Sequence, residues 1–223
     1  MQNLELEHDE VVFMPENINE KGNGYYVVKR TMDIIGSLVG IVLLSPFMLA
    51  IAIAIKLDSK GAIIFGHERL GYKGKVIKVY KFRTMVENAE EFLQKMDNTQ
   101  KEEFKKNFKL EHDPRVTKVG DFLRRTSLDE LPQLLNILKG NMTIVGPRPI
   151  IKKELIKYNK YGAKFLSVKP GLTGLWQTNG RSETSYEERV SLDMQYIDNR
   201  TIWNDIKIIF KTFIVVVKKE GAM

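Results

Sequence analysis

The sequence predicts an α+β chain, mainly helical and held at a membrane, on the strength of three observations. From Ile34 to Ile55 no residue is charged, a run of 22 residues. As a helix it is long enough to cross a hydrocarbon core of roughly 30 Å. Val76 to Phe82 alternates apolar and polar residues in the period of a half-buried strand, and it follows a turn marked by Gly71 and Gly74. Much of the rest is rich in charge, with apolar residues three and four apart, the pattern of amphipathic helices. Three parts result: a tail over 1–24, a membrane element over 25–56 and a body over 57–223.

The tail is acidic. It carries six acids against Lys21, a net of −5, which leaves +12 on the remainder of a chain whose total is +7. A basic body suits a phosphate-bearing or polyanionic partner. The chain has no cysteine, which excludes disulfides and thiolate metal sites. Its three histidines, His8, His67 and His112, show no zinc spacing.

The apolar run contains a break signal, Ser45-Pro46, at its middle. Proline removes a backbone hydrogen bond and crowds the preceding turn. Both flanks are basic, Lys29 and Arg30 before and Lys56 after, so positive charge assigns no crossing direction. Each half spans roughly 16 Å at 1.5 Å per residue, about half a bilayer. The residues leave three readings open: a proline-kinked single crossing, a re-entrant helix-break-helix whose Ser45 satisfies a freed carbonyl, and a buried helix of a soluble protein.

Ala62 to Phe65 is a strand candidate, and with Val76 to Phe82 it makes a small β-hairpin that leads into Lys81-Phe82-Arg83-Thr84. Over 86–110, Phe92, Met96, Phe104 and Phe108 mark one or two amphipathic helices. Asp113-Pro114-Arg115 reads as a turn, Val119 to Leu123 as a helix, and Lys169 to Gly174 as a loop. Glu183 to Tyr196 reads as a charged helix. Trp203 to Val217 reads as a basic amphipathic helix suited either to a membrane interface or to the core.

The chemistry centres on Ser127-Leu128-Asp129-Glu130. As a capping box it needs no function, since serine and the residue three later satisfy free helix amides. Pro132 argues that a helix starts nearer Leu131, which leaves the two carboxylates in a turn. Arg124, Arg125, Arg148 and Arg181 lie in short proline- or glycine-marked segments, and arginine presents a planar fork that matches phosphate oxygens. Aspartate can attack phosphorus to form an acyl phosphate, and such chemistry normally uses Mg²⁺ with carboxylate ligands. No GxxxxGK[ST] loop and no GxGxxG occur, which removes P-loop and dinucleotide folds. The aromatic-basic interleaving of single-strand binders is also missing, so no nucleic acid is expected.

In order, KRTMD, the apolar run with SP, YKFRTM, DPRVTKVGDFLRRTSLDELPQLLN, KGNMTIVGPRP, KPGLTGLWQTNGR and SYEERVSLDMQYI resemble the bacterial sugar transferases, the monotopic phosphoglycosyl transferases. The resemblance runs from about Tyr26 to the C-terminus. It implies transfer of a sugar 1-phosphate from a UDP-sugar to polyprenyl (undecaprenyl) phosphate with release of UMP, as the start of surface glycan assembly. By that resemblance Asp129 is the nucleophile and Glu130 its partner, and both are tentative Mg²⁺ ligands. Arg148 binds phosphate, while Arg124 and Arg181 hold the nucleotide or the second substrate. Ser45 and Pro46 become the break of a re-entrant membrane helix, and interfacial amphipathic helices surround the active site. The implied location is the cytoplasmic face of the bacterial inner membrane, in contact with its lipids, and the form is the minimal catalytic core. Three departures from the family pattern stand out: Gly61-Ala62, His67-Glu68-Arg69 and Asn141. A lipid-binding basic module and a nucleotide-sugar hydrolase are the alternative functions. No residue names the sugar or sets an oligomeric state.

Overall fold

The structure, a computed structural model, describes residues 21–87, 89, 113–180 and 184–218. Most of the acidic tail, most of the helices expected over 86–110, and Arg181 lie outside these residues.

The chain opens with α1, one 36-residue helix over Asn23–Asp58. By length and composition it could cross a membrane. The α-helix runs on through Pro46, so no non-helical residue separates the two halves expected on either side of it. The reason is local. Pro46 has no N–H to give the Val42 carbonyl, and the Ser45 hydroxyl supplies the missing bond at 2.8 Å.

One stripe of α1 faces the body. Asp33 and Ser37 are buried, and Ile41, Leu44, Met48, Ile51 and Ile55 pack into two core clusters, a spacing of threes and fours. Gly36 lies in this seam, where a Cβ would meet Ile144 Cδ1 at 2.7 Å. The opposite face is apolar and open, with Val42, Leu43, Phe47, Leu49 and Leu57 between 64% and 83% exposed.

Both ends of α1 are tied to the same body. Near the start, Lys29 Nζ meets Asp205 Oδ2 at 2.7 Å and donates to the Val145 carbonyl at 2.9 Å. Arg30 donates to the carbonyls of Ile137 and Leu138, at 2.6 and 2.7 Å. At the far end Arg83 Nη2 donates to Ser59 O at 2.7 Å and to Ile55 O at 3.4 Å, a cation on the helix C-terminus.

The antiparallel hairpin pairs β1 (Ile64–Leu70) with β2 (Val76–Phe82), Ile64 opposite Phe82. Helix α2 (Lys118–Thr126) and helix α3 (Gln133–Leu138) follow. A two-stranded parallel pair, β3 (Thr143–Val145) and β4 (Gly171–Thr173), brings together two loops far apart in sequence. Between them lie a 3-10 segment over Lys152–Tyr161 and the short α4 (Gly162–Leu166). Helix α5 (Tyr186–Asn199) starts with a capping box of Ser185 and Glu188, and α6 (Ile202–Lys218) ends the described chain. The main core joins Tyr158, Phe165, Met194, Ile197 and Ile208 to β3. Trp203, Phe210 and Phe213 on α6 stay 64% to 67% exposed.

Candidate active site

The carboxylate pair sits on a corner. Helix α2 ends at Thr126, and Ser127 takes a left-handed conformation, φ 56°, ψ 17°. Its amide closes the helix end against the Arg124 carbonyl. A 3-10 turn over Leu128–Glu130 follows, and the Ser127 side chain makes no capping bond there. The capping-box alternative therefore does not form, and Asp129 and Glu130 stand in a turn before α3. The turn projects them into an open cleft of 3340 Å³.

Lys81 bridges the two, with Nζ 2.7 Å from Glu130 Oε1 and 3.3 Å from Asp129 Oδ2. Its place is set by β2, whose alternation puts it on the side of Ile77 and Val79. Asn136, fully buried on α3, grips that strand. Its side-chain amide donates to Lys78 O at 2.7 Å, and its Oδ1 accepts from the Tyr80 amide at 2.9 Å.

Arg148 reaches Glu130 from the other side, Nη1 to Oε1 at 3.2 Å. It is carried by a loop pinned on both flanks. The Gly146 amide donates to Thr173 O, the Gly171 amide to Pro147 O and the Leu70 amide to Ile150 O, each at 2.8 Å. Gly171 has to be glycine, because a Cβ there would stand 2.1 Å from the Gly146 nitrogen.

Adjacent carboxylates in this setting diverge. Asp129 is only 8% exposed, and burial raises its pKa above that of a free aspartate, against the pull of Lys81. For Glu130 burial also pushes upward, but the Lys81 and Arg148 cations prevail and hold it at about 2. Arg148 is held above its ordinary value, chiefly by Glu130. One carboxylate is a fixed anion and the other is a more basic one, the asymmetry expected where two acids take different roles.

Of the other residues singled out by sequence, Arg124 lines the cleft. Its Nε donates to Thr84 Oγ1 at 3.0 Å, and burial lowers its pKa while Asp113 and then Asp129 oppose this. Arg125 turns outward to Asp121 at 2.8 Å, a solvent-exposed pair. Ser45 and Pro46 lie on α1, away from the pair. Lys81 was not among the residues chosen from sequence, although a lysine on the apolar side of an alternating strand is a readable signal. Arg69, in the segment that departs from the family pattern, also lines the cleft, as do Glu154 and Arg189, which carried no such signal.

Among the described residues no group of three or more metal-ligating side chains occurs. Two carboxylates alone still fit Mg²⁺, which commonly takes one or two and completes its shell with water and substrate phosphate.

The bacterial sugar transferase family model matches residues 24–219. Over 198 residues the chain is 48% identical to the undecaprenyl-phosphate galactose phosphotransferase of Salmonella typhimurium, covering 87% of this chain and 41% of that protein. It is 44% identical over 196 residues to the UDP-glucose:undecaprenyl-phosphate glucose-1-phosphate transferase of Escherichia coli, 83% of this chain and 39% of that one. It is 41% identical over 213 residues to the exopolysaccharide production protein ExoY of Rhizobium meliloti, 94% of each. The chain thus spans less than half the length of the first two proteins and nearly all of the third. With a family match that covers most of its residues, the chain belongs to the bacterial sugar transferase family.

Proposed function

We propose that this chain transfers a sugar 1-phosphate from a UDP-sugar to polyprenyl phosphate, releasing UMP, through a covalent intermediate on Asp129. The observation that carries this reading is the divided pair: a buried, more basic Asp129 beside a Glu130 fixed as an anion by Lys81 and Arg148. The relatives named for galactose, glucose and undecaprenyl phosphate support the substrate classes.

An Asp129 oxygen attacks the phosphorus that bears the sugar. The bond from that phosphorus to the bridging oxygen breaks, and its electron pair leaves on UMP. An oxygen of the acceptor phosphate then attacks the same phosphorus. The phosphorus–Asp129 bond breaks, the carboxylate is restored, and the sugar is left on a lipid diphosphate. Burial makes Asp129 a stronger nucleophile than a free carboxylate, and Lys81 favours its ionised form. Arg148 and Arg124 supply positive charge fixed in place before reaction for the phosphate oxygens. Glu130 holds Lys81 and Arg148 in position. Asp129 and Glu130 would hold Mg²⁺, which would supply further neutralisation of phosphate charge.

The acceptor's headgroup lies at a membrane surface, so the cleft has to reach that surface. The apolar outer faces of α1 and α6 provide contact with lipid, and apolar residues of both helices, Ile35 and Phe210 among them, line the cleft. Both ends of α1 are fixed to one body, which supports a helix bent at Ser45-Pro46 that enters and leaves by the cytoplasmic face.

The test is product analysis with Mg²⁺, polyprenyl phosphate and a panel of UDP-sugars. UMP release that requires the lipid is expected. UDP release overturns the reading in favour of ordinary glycosyl transfer, and UMP release indifferent to lipid makes the protein a hydrolase.

A further inference from the structure

Charged clusters away from the carboxylate pair can be closed on themselves. Glu154 is shared by Arg69 at 3.2 Å and Arg189 at 3.6 Å, a staple between β1, the 3-10 segment and α5. One pair of cations is not closed. Arg30 on α1 and Lys169, just before β4, converge on Gly140, just past the end of α3. A Cβ at Gly140 would stand 3.5 Å from Arg30 Nη2 and 3.8 Å from Lys169 Nζ, so both cations border one small space.

Helix capping accounts for only one of them. Arg30 donates to the Ile137 and Leu138 carbonyls at the end of α3, which leaves further N–H groups on its guanidinium. Lys169 is partly buried, and among the described residues its ammonium meets no acceptor. Burial and then Arg30 lower its pKa. The acid that opposes this, Asp33, has its Oδ1 engaged by the Thr143 hydroxyl at 2.9 Å and the Ile144 amide at 2.8 Å. A partly buried cation with no partner, set beside a second cation, is costly, and an anion between the two removes that cost.

Position decides which anion. Arg30 stands one turn before Ile34, the first residue of the uncharged run. Ile34 and Leu38 follow Arg30 at intervals of four along α1, and both are exposed. At a membrane surface the two cations therefore lie at headgroup depth, with an apolar strip leading from them into the acyl region. Neither Arg30 nor Lys169 lines the cleft that holds Asp129. A small soluble anion would leave the strip bare, whereas a phosphate carrying acyl chains covers both features.

We infer that Arg30 and Lys169 form a site for the phosphate of an anionic phospholipid whose acyl chains lie along Ile34 and Leu38. This rests on the membrane placement proposed above. A lipid seated there bridges α1 to the loops around Gly140 and Lys169, and so stabilises the folded chain.

The experiment melts full-length protein in neutral detergent with phosphatidylglycerol, phosphatidylcholine or inorganic phosphate added. With phosphatidylglycerol at about ten times its Kd, wild type is expected to melt about 3–6 °C higher than with phosphatidylcholine. Lys169→Gln loses most of that rise. Lys75→Gln, an equal loss of charge at the hairpin turn, keeps it, and inorganic phosphate produces none. A rise of equal size in all three proteins overturns the inference in favour of diffuse attraction to a basic body. A rise reproduced by inorganic phosphate overturns the lipid as ligand. KM for polyprenyl phosphate in neutral detergent is expected to be the same in Lys169→Gln as in wild type, and a raised KM overturns the inference by giving Lys169 to the acceptor. If Lys169→Gln does not fold, wild type is treated with an amine-acylating reagent and mapped by mass spectrometry. Phosphatidylglycerol is expected to protect Lys169 and not Lys75, and equal labelling of Lys169 in both lipids overturns the inference. A wild type that stays in solution without detergent and does not partition into vesicles overturns the membrane placement itself, and this inference falls with it.

Discussion

Two lysine–carboxylate clusters in this protein are built alike and end differently. Lys29 and Asp205 meet at 2.7 Å with Asp205 fully buried, and Tyr196 and the Val145 carbonyl complete the group. Lys81 meets two carboxylates at once, approaches Asp129 only to 3.3 Å, and stands at the wall of an open cleft. Burial raises the pKa of Asp205 and of Asp129 alike. A raised carboxylate is therefore not enough by itself to mark reactivity here. What separates the two is access and incomplete pairing: a cluster with every partner in place is a clamp, and one short of partners has room for a substrate.

The largest effect that tests this contrast is Asp129→Asn, expected to lower UMP release by about 10⁴-fold. The melting temperature is expected not to fall, since a buried carboxylate of raised pKa is being neutralised. Near-wild-type turnover, with deamidation excluded by mass spectrometry, removes Asp129 as nucleophile.

Lys29→Met is the mirror experiment. It strands a buried Asp205 and is expected to cost about 3–5 kcal/mol of stability. Activity per folded molecule should hold. Calorimetry beside an assay at low temperature separates the two, and a variant that melts like wild type dissolves the clamp.

pH distinguishes the members of the open cluster. The Glu130 pKa is held at about 2 against an ordinary 4.5, so its contribution to stability is fully present above pH 4.5 and is lost as pH falls towards 2. Glu130→Gln should flatten the melting temperature across that window. Asp129 moves the other way, so the acid limb of kcat should lie above pH 3.8, the ordinary aspartate value. An acid limb below that value contradicts the assignment.

The smallest effect is on α1. Ser45→Ala removes the bond to the Val42 carbonyl and should destabilise by about 0.5–1.5 kcal/mol. Pro46→Ala, which restores the amide, should make the loss disappear in the double variant. Thermal unfolding in detergent checks both.

Much of the frame was legible because it depends on local pattern. The period-two strand Val76–Phe82 is found with those bounds, and the last two helices fall within three residues of expectation at either end. The turn holding Asp129 and Glu130 was legible from Pro132. β1 runs on to Leu70 beyond the expected Phe65, because its pairing with β2 carries it through polar His67, Glu68 and Arg69. The parallel contact of β3 with β4 depends on Gly171 lying against Gly146, which is tertiary, and the segment reads alone as a loop. Along α1 the Ser45 hydroxyl covers the Val42 carbonyl that Pro46 leaves without an amide. Lys81 was readable from strand alternation, whereas Glu154 and Arg189 acquire meaning only from partners distant in sequence.

Ser127 has a further consequence. It holds a left-handed backbone that glycine would adopt freely and that costs a serine about 1–2 kcal/mol. Glycine would relieve that cost, but it would also let the corner swing. As a stiff elbow, Ser127 sets the angle between the helix that carries Arg124 and the turn that carries Asp129. Its tolerance to substitution should therefore be poorer for rate than for folding, and variants that stabilise the protein at this position should be the slower enzymes.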